Sequence, residues 1–262
     1  MLQKAFNKYA QQYDEHFTDS LIGKSQRKQV YNYLKTLDFF SDKKVLEINC
    51  GTGEDVLFYS HHKTQITATD ISEQMLVMAK EKNKHNNASF ICSGIQDLKH
   101  KVYKSDFDIV FSNFGGLNCL NETDLKQFAK DSADLTSKHA DLVFVIMGTN
   151  CIIEKIYFLL KGNKEKAYRR QHKLGVETNI NNQVFTTYYY TPKQIKEIFI
   201  THYAVQNVKP IGLFIPPSYL EPFIKKHSLL FKLLTALDTV FSRFRALSNN
   251  ADHYIIHLKK IA

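Results

Sequence analysis

A chain of 262 residues with 44% apolar and 13% aromatic side chains can bury a sizeable core, which excludes disorder as its ordinary state. Thirty-five Lys and Arg against 26 Asp and Glu leave a formal charge of +9. That balance suits anionic partners such as nucleic acid, phosphorylated substrates, acyl carriers or an acidic membrane surface, and equally suits a Lys-rich solvated surface. Cys50, Cys92, Cys119 and Cys151 lie far apart without CxxC or zinc-type spacing, which argues against a disulfide or zinc framework and for free thiols in a reducing compartment. The segment MLQKAFNKYAQQYDEHF has no apolar signal core, and no stretch reaches the roughly 18 to 20 unbroken apolar residues of a membrane span, so the expectation is a soluble, cytoplasmic protein.

In chain order, the strand-like runs KKVLEIN, TQITATD, ASFICSG, FDIVFSN and DLVFVIMG alternate with helical stretches, among them Glu73 to Lys84 and Asp124 to Thr136. This rhythm predicts βαβ units with right-handed crossovers. After about residue 149 it changes to a basic helical stretch, a strand QVFTTYYY, a helix opening at TPKQIKEIF with Pro192 in its first turn, and a strand near AVQNVKPIGLF. A long apolar and basic segment, Tyr219 to Leu247, precedes the alternating strand ADHYIIHLKK. The expected fold is α/β, a doubly wound Rossmann-like sheet, mostly parallel with an antiparallel C-terminal strand and helices on both faces. One domain is expected, with N-terminal lid helices over 1–38, a cofactor-binding core over 40–150, and substrate-side insertions over 150–190 and 215–250.

The most informative stretch is VLEINCGTGED, residues 45–55, where a buried strand enters a glycine turn and then a helix. Gly51 and Gly53 can adopt positive φ and admit a ligand closely, and the helix start presents unpaired N–H groups. Seventeen residues after Gly53, Asp70 ends the second strand, where a carboxylate can accept both hydroxyl hydrogens of a ribose. A dinucleotide fingerprint aligned on Gly51 and Gly53 requires glycine at position 56, which is Val, so the pyrophosphate turn is incomplete. Glu47 at the strand end suits a cationic sulfonium better than a diphosphate.

These residues resemble the first motif of the class I methyltransferase family, a strand followed by E-x-G-x-G-x-G, and the likeness continues through TATDISEQML, SFICSGIQDL and FDIVFSNFGGLNCL to about residue 150. The resemblance implies S-adenosyl-L-methionine as cofactor and S-adenosyl-L-homocysteine as product. By it Glu47, Asn49, Cys50, Gly51 and Gly53 line the methionine portion, Asp70 the ribose, Ile71 and Met75 the adenine faces, and Gly94, Ile95 and Gln96 the adenine edge. Ser112 and Asn113 fall beside the sulfonium. Two departures stand out, Asn49 in place of the first motif glycine and Gly94 where relatives often carry an aspartate. The N-terminal segment is similar to a lid helix of small-molecule members, which implies that Tyr9 or Tyr13 covers the methionine end and that Arg27 pairs with its carboxylate.

For the acceptor, His16 in the lid and His253 at the start of the final strand are the candidate catalytic bases, since that strand begins at the edge where parallel strands end. No metal constellation is apparent, so metal-independent transfer is expected. KGNKEKAYRRQHK, Lys161 to Lys173, holds six Lys or Arg and one Glu and either grips an anion or forms a solvated helix. The segment after Pro216 and Pro217 either completes the core or a homodimer contact, lines a greasy pocket, or rests on a membrane surface. The leading expectation is methyl transfer to a small aromatic or lipophilic acceptor through oxygen or nitrogen. Rival readings are an RNA methyltransferase using Arg169 and Arg170, although SNFG is not the NPPY-type motif of base amino-methyltransferases, and a non-catalytic S-adenosylmethionine-binding protein.

Overall fold

The computed structural model describes residues 2–37, 41–84, 87–102, 106–180 and 182–261. Seven strands form one sheet: β1 (Ser41–Ile48), β2 (Lys63–Asp70), β3 (Ala88–Cys92), β4 (Phe107–Ser112), β5 (Thr136–Met147), β8 (Tyr203–Ile211) and β9 (His253–Lys260). Their order is β3-β2-β1-β4-β5-β9-β8. The first five are mutually parallel, and β9 runs antiparallel between β5 and β8. The expected strands thus assemble as expected, with β9 inserted inside the sheet and β8 at its edge. A separate antiparallel hairpin joins β6 (Val176–Ile180) to β7 (Gln183–Thr187), so QVFTTYYY contributes to this hairpin and not to the main sheet.

The central strands are apolar on both faces because helices cover both. Leu46, Ile48, Val110, Leu142 and Phe144 pack toward α6 (Glu122–Leu135) and α9 (Pro192–Phe199). Their alternating neighbours Val45, Ile109, Phe111, Val143 and Val145 pack toward α2 (Leu21–Leu34) and α3 (Glu54–Ser60). Side chains set the helix starts. Ser20, Ser72 and Asn121 accept from Gly23, Met75 and Asp124 N–H, and Thr191 with Gln194 forms a capping box ahead of Pro192.

The remaining helices are α1 (Leu2–Tyr13), α4 (Glu73–Lys82), α5 (Leu98–Lys101), α7 (Ile152–Leu160), α8 (Lys164–Tyr168), α10 (Glu221–Lys226) and α11 (Ser228–Phe241). A π-helical turn, Asp14–Thr18, links α1 to α2. The expected lid and core limits at 38 and 40 lie outside the described residues. Strand order reverses between β1 and β4, so the loops leaving these two strands diverge and open a crevice at the carboxyl edge of the sheet.

Candidate active site

Three left-handed residues turn the chain out of β1: Asn49 (φ 57°), Gly51 (φ 53°) and Gly53 (φ 78°). A Cβ on Gly51 meets only the Tyr13 ring at 3.8 Å, so glycine is needed there for its backbone conformation. At Gly53 a Cβ would fall 2.8 Å from Ala79 Cβ, which lets α3 start hard against α4. Asp70 ties this turn to the next one. Its Oδ2 accepts from Gly51 N–H at 2.9 Å and its Oδ1 from Ser72 N–H at 2.8 Å. Burial pushes the Asp70 carboxyl up to about 6, against the pull of these backbone donors.

A cavity of about 120 Å³ opens above these loops. Asn49, Gly51, Asp70, Asn113 and Phe114 line it, together with an apolar slot of Ile71, Met75, Ile95 and Leu120, and the edge residues Gly94 and Gln96. Leu2, Phe6 and Tyr13 close it from the N-terminal side. That side is tied down at two points. Ser72 Oγ donates to Asn7 Oδ1 at 2.6 Å, and Asp14 accepts from Thr52 Oγ1 at 2.6 Å while pairing with Lys82 Nζ at 2.6 Å.

Behind the wall lies a buried polar cluster. Asp55 accepts both from Asn113 Nδ2 at 3.1 Å and from Arg27 Nε at 3.2 Å. The Arg27 guanidinium also sits 5.3 Å from the Phe114 ring centre. Burial, reinforced by Asp55 and Asp70, holds the Glu47 carboxyl well above the usual carboxylate range. Glu47 Oε2 and Arg27 Nη1 are buried without a hydrogen-bond partner among the described residues.

A second chamber of about 330 Å³ shares Phe6, Tyr13, Phe114, Gly115 and Cys119 with the first. Its other walls are aromatic (Tyr9, Phe17, Phe185, Tyr189, Tyr219) and charged (Glu154, Arg169, Arg170, Asp252), with His16 and His253 among them. Glu154 accepts bidentate pairs from both guanidiniums at 2.9 to 3.0 Å, and Arg170 Nη2 also reaches Asp252 Oδ1 at 2.7 Å. Burial would raise the Glu154 and Asp252 carboxyls, but the two arginines at Glu154, and His253 with Arg170 at Asp252, outweigh it and lower both. His253 Nδ1 lies 3.3 Å from Asp252 Oδ2, within ion-pairing distance but off hydrogen-bond line.

Residues 45–139 match the family model described as a methyltransferase domain. They form a class I, S-adenosylmethionine-dependent methyltransferase domain. Among curated proteins the chain is similar to a malonyl-[acyl-carrier protein] O-methyltransferase of Priestia megaterium, 35% identical over 127 residues covering 47% of this chain and 44% of that protein. It is also similar to one of Bacillus anthracis, 29% identical over 192 residues covering 70% and 66%. The chain therefore spans about half to two thirds of the curated relatives it matches. Among solved structures, the DhpI–SAH complex aligns over 98% of this chain and 94% of its own at a TM-score of 0.63 and 13% identity. An S-adenosylmethionine dependent methyltransferase from Mesorhizobium loti aligns over 87% and 96% at 0.56 and 13%. At that identity these neighbours speak for the fold.

Of this methyltransferase domain, Asn49, Gly51, Asp70, Ile71, Met75, Gly94, Ile95, Gln96 and Asn113 meet in the first cavity, joined by Tyr13 from α1. Six other expected cofactor residues lie off its wall. Tyr9 is in the second chamber, and Cys50 is buried in the core beneath the turn. Gly53 serves helix packing, and Ser112 accepts from Asn49 Nδ2 at 3.2 Å. Glu47 stands behind the wall, and Arg27 is engaged by Asp55, because a buried carboxylate at the start of α3 requires a counter-charge. His16 and His253, far apart in sequence, share the second chamber. Sequence reasoning missed Phe6, Phe114 and Cys119, which neighbour the singled-out motifs, and Glu154, which carries no sequence signal at all.

The site suits the cofactor that the domain implies. A buried carboxylate held up to about 6 gains from two further hydroxyl donors, as a ribose offers, and the Ile71, Met75, Ile95 and Leu120 slot is apolar enough for a purine.

Proposed function

We propose that this chain transfers the methyl group of S-adenosylmethionine to a carboxylate oxygen of a small acyl acceptor, giving a methyl ester and S-adenosylhomocysteine. The observation that carries this reading is the Arg169–Arg170 pair in the chamber that adjoins the cofactor cavity. Arg169 donates to Glu154 through Nε and Nη2, and its side chain is one-third exposed, so an acceptor carboxylate can dock on its remaining edge. The names of the curated relatives, which act on a malonyl group held by an acyl carrier protein, support the same acceptor class. From the apolar region after 210 that favoured a lipophilic acceptor, Tyr219 lines the chamber, whereas α11 adds no described residue to its wall.

When bound, the cofactor supplies an electrophilic methyl group on a positively charged sulfur. Asp70 would hold the ribose, the Ile71 and Met75 side the adenine, and Asn113 the methionine end. Arg169 orients the carboxylate, and Phe6, Tyr13 and Phe114 exclude water where the two cavities adjoin. A carbon–oxygen bond forms as the carbon–sulfur bond breaks, with its electron pair left on sulfur. No proton moves, because a carboxylate enters ionised. His16 and His253 then only border the acceptor.

The Asp252–His253 contact favours a second reading, a hydroxyl acceptor whose proton passes to His253 while Asp252 orients the ring. The deciding experiment incubates the purified chain with S-adenosylmethionine and either a malonyl thioester on an acyl carrier protein, free dicarboxylates, or phenols, and identifies the products by mass spectrometry. A methyl ester on a carboxylate is expected. Exclusive methylation of the phenols would replace this reading with the hydroxyl one, and cofactor binding without turnover on any acceptor would remove both.

A further inference from the structure

Helix α11 is apolar on two opposite faces, and the described residues cover only one of them. Phe231 and Leu234 pack toward Ile22, Ile215 and Ile224. On the same side Asp238 is fully buried, accepting from Phe214 N–H at 2.6 Å and from Gln29 Nε2, which fixes the rotation of the helix. The opposite side presents Leu229, Leu233, Ala236 and Val240 at positions i, i+4, i+7 and i+11, one continuous stripe. Leu229 is 79% exposed and Leu233 57%. Every acidic residue from 221 to 247 is buried, namely Glu221 and Asp238, whereas Lys225, Lys226, Lys232, Arg243 and Arg245 are all exposed.

We propose that this face of α10 and α11 docks on an anionic lipid bilayer, lying in the interface without crossing it. A convex helix with one apolar row and cations along its border meets the two demands of such a surface, acyl chains for the leucines and lipid phosphates for the lysines. A second copy of the chain would set the same five cations against themselves. An acidic protein could pair with the cations, but it would also need a groove shaped to the protruding leucines. The 3-10 turn Ser218–Leu220 leads directly into α10, and Pro217, Ser218 and Tyr219 line the acceptor chamber. Docking therefore holds the chamber one short helix from the lipid surface.

The test is flotation of the full chain with vesicles of phosphatidylcholine alone and of phosphatidylcholine with phosphatidylglycerol, at low and high salt. Binding to the anionic vesicles only, weakened by salt, is expected. L229Q/L233Q should lower it at least tenfold. K225Q/K226Q/K232Q should lower it on the order of a hundredfold, about fivefold per cation. Both variants should keep the parent's unfolding midpoint, since the replaced side chains are exposed. Three results would overturn the proposal: no binding to anionic vesicles at low salt; equal binding by L229Q/L233Q, which is charge adsorption alone; or loss in these variants of self-association or of acyl carrier protein binding with vesicle binding unchanged.

Discussion

Asp70 gives the cofactor assignment a signature in protons. Its carboxyl titrates near 6 in the folded chain against about 3.9 in an unfolded one, so in the ionised form it costs the free protein roughly 3 kcal/mol. The folded state binds the extra proton between these values. This cost is therefore fully present above pH 6 and disappears as pH falls toward 4. Ribose hydroxyls donating to the carboxylate favour the ionised form, so cofactor binding pulls the pKa down and expels the proton. At pH 5 about nine-tenths of the free protein carries that proton, and binding should release nearly one proton and weaken about tenfold relative to pH 7.5. Calorimetric titration with S-adenosylhomocysteine, in buffers of different ionisation enthalpy at both pH values, measures proton release and affinity together. Asp70→Asn should bind more weakly and with no proton release. Affinity flat from pH 7.5 to 5 with no proton exchanged would refute the assignment of Asp70 to the ribose.

The other predictions concern the second chamber and the N-terminal helix. Arg170→Met strips a buried partner from both Glu154 and Asp252 and should cost on the order of 3 kcal/mol or more in urea unfolding, whereas Arg169→Met, at a side chain one-third exposed, should cost about 1 kcal/mol or less. With a carboxylate acceptor, Arg169→Met should instead raise KM in steady-state assays. Asp14→Ala removes the bonds to Thr52 and Lys82, and should speed S-adenosylhomocysteine dissociation in stopped flow by about fivefold. His253→Ala should leave kcat nearly unchanged on a carboxylate acceptor; a drop of about a hundredfold or more would instead mark it as a proton acceptor.

The sheet was legible in the sequence because its central strands are buried on both faces, so runs such as KKVLEIN and FDIVFSN carry adjacent apolar residues, Val45–Leu46 and Ile109 to Phe111, that face opposite cores. The turn at Gly51 and the carboxylate at Asp70 were legible because adjacent segments of chain build them, one strand end and one loop apiece. The hairpin was half legible. QVFTTYYY is rich in β-branched and aromatic residues, as strands are, but its partner VETNI is more than half polar, and only pairing identifies it.

The second chamber was legible only in part: His16, His253 and the segment KGNKEKAYRRQHK were expected on the acceptor side, but their arrangement was not. In KGNKEKAYRRQHK the six cations look alike, yet Lys161, Lys164 and Lys166 are exposed while Arg170 is buried. What separates them is Glu154, 16 residues away, and Asp252, 82 residues away, neither of which shows any periodic relation to the arginines. Buried ion pairs stand or fall on desolvation, which depends on what the rest of the fold packs around them. The same packing that hides Arg170 leaves Arg169 at the chamber edge with a partly engaged guanidinium. A cluster that reads in sequence as a basic surface for nucleic acid thus becomes one buried structural arginine and one partly exposed arginine, and in the proposed reaction only the latter is available to meet a carboxylate.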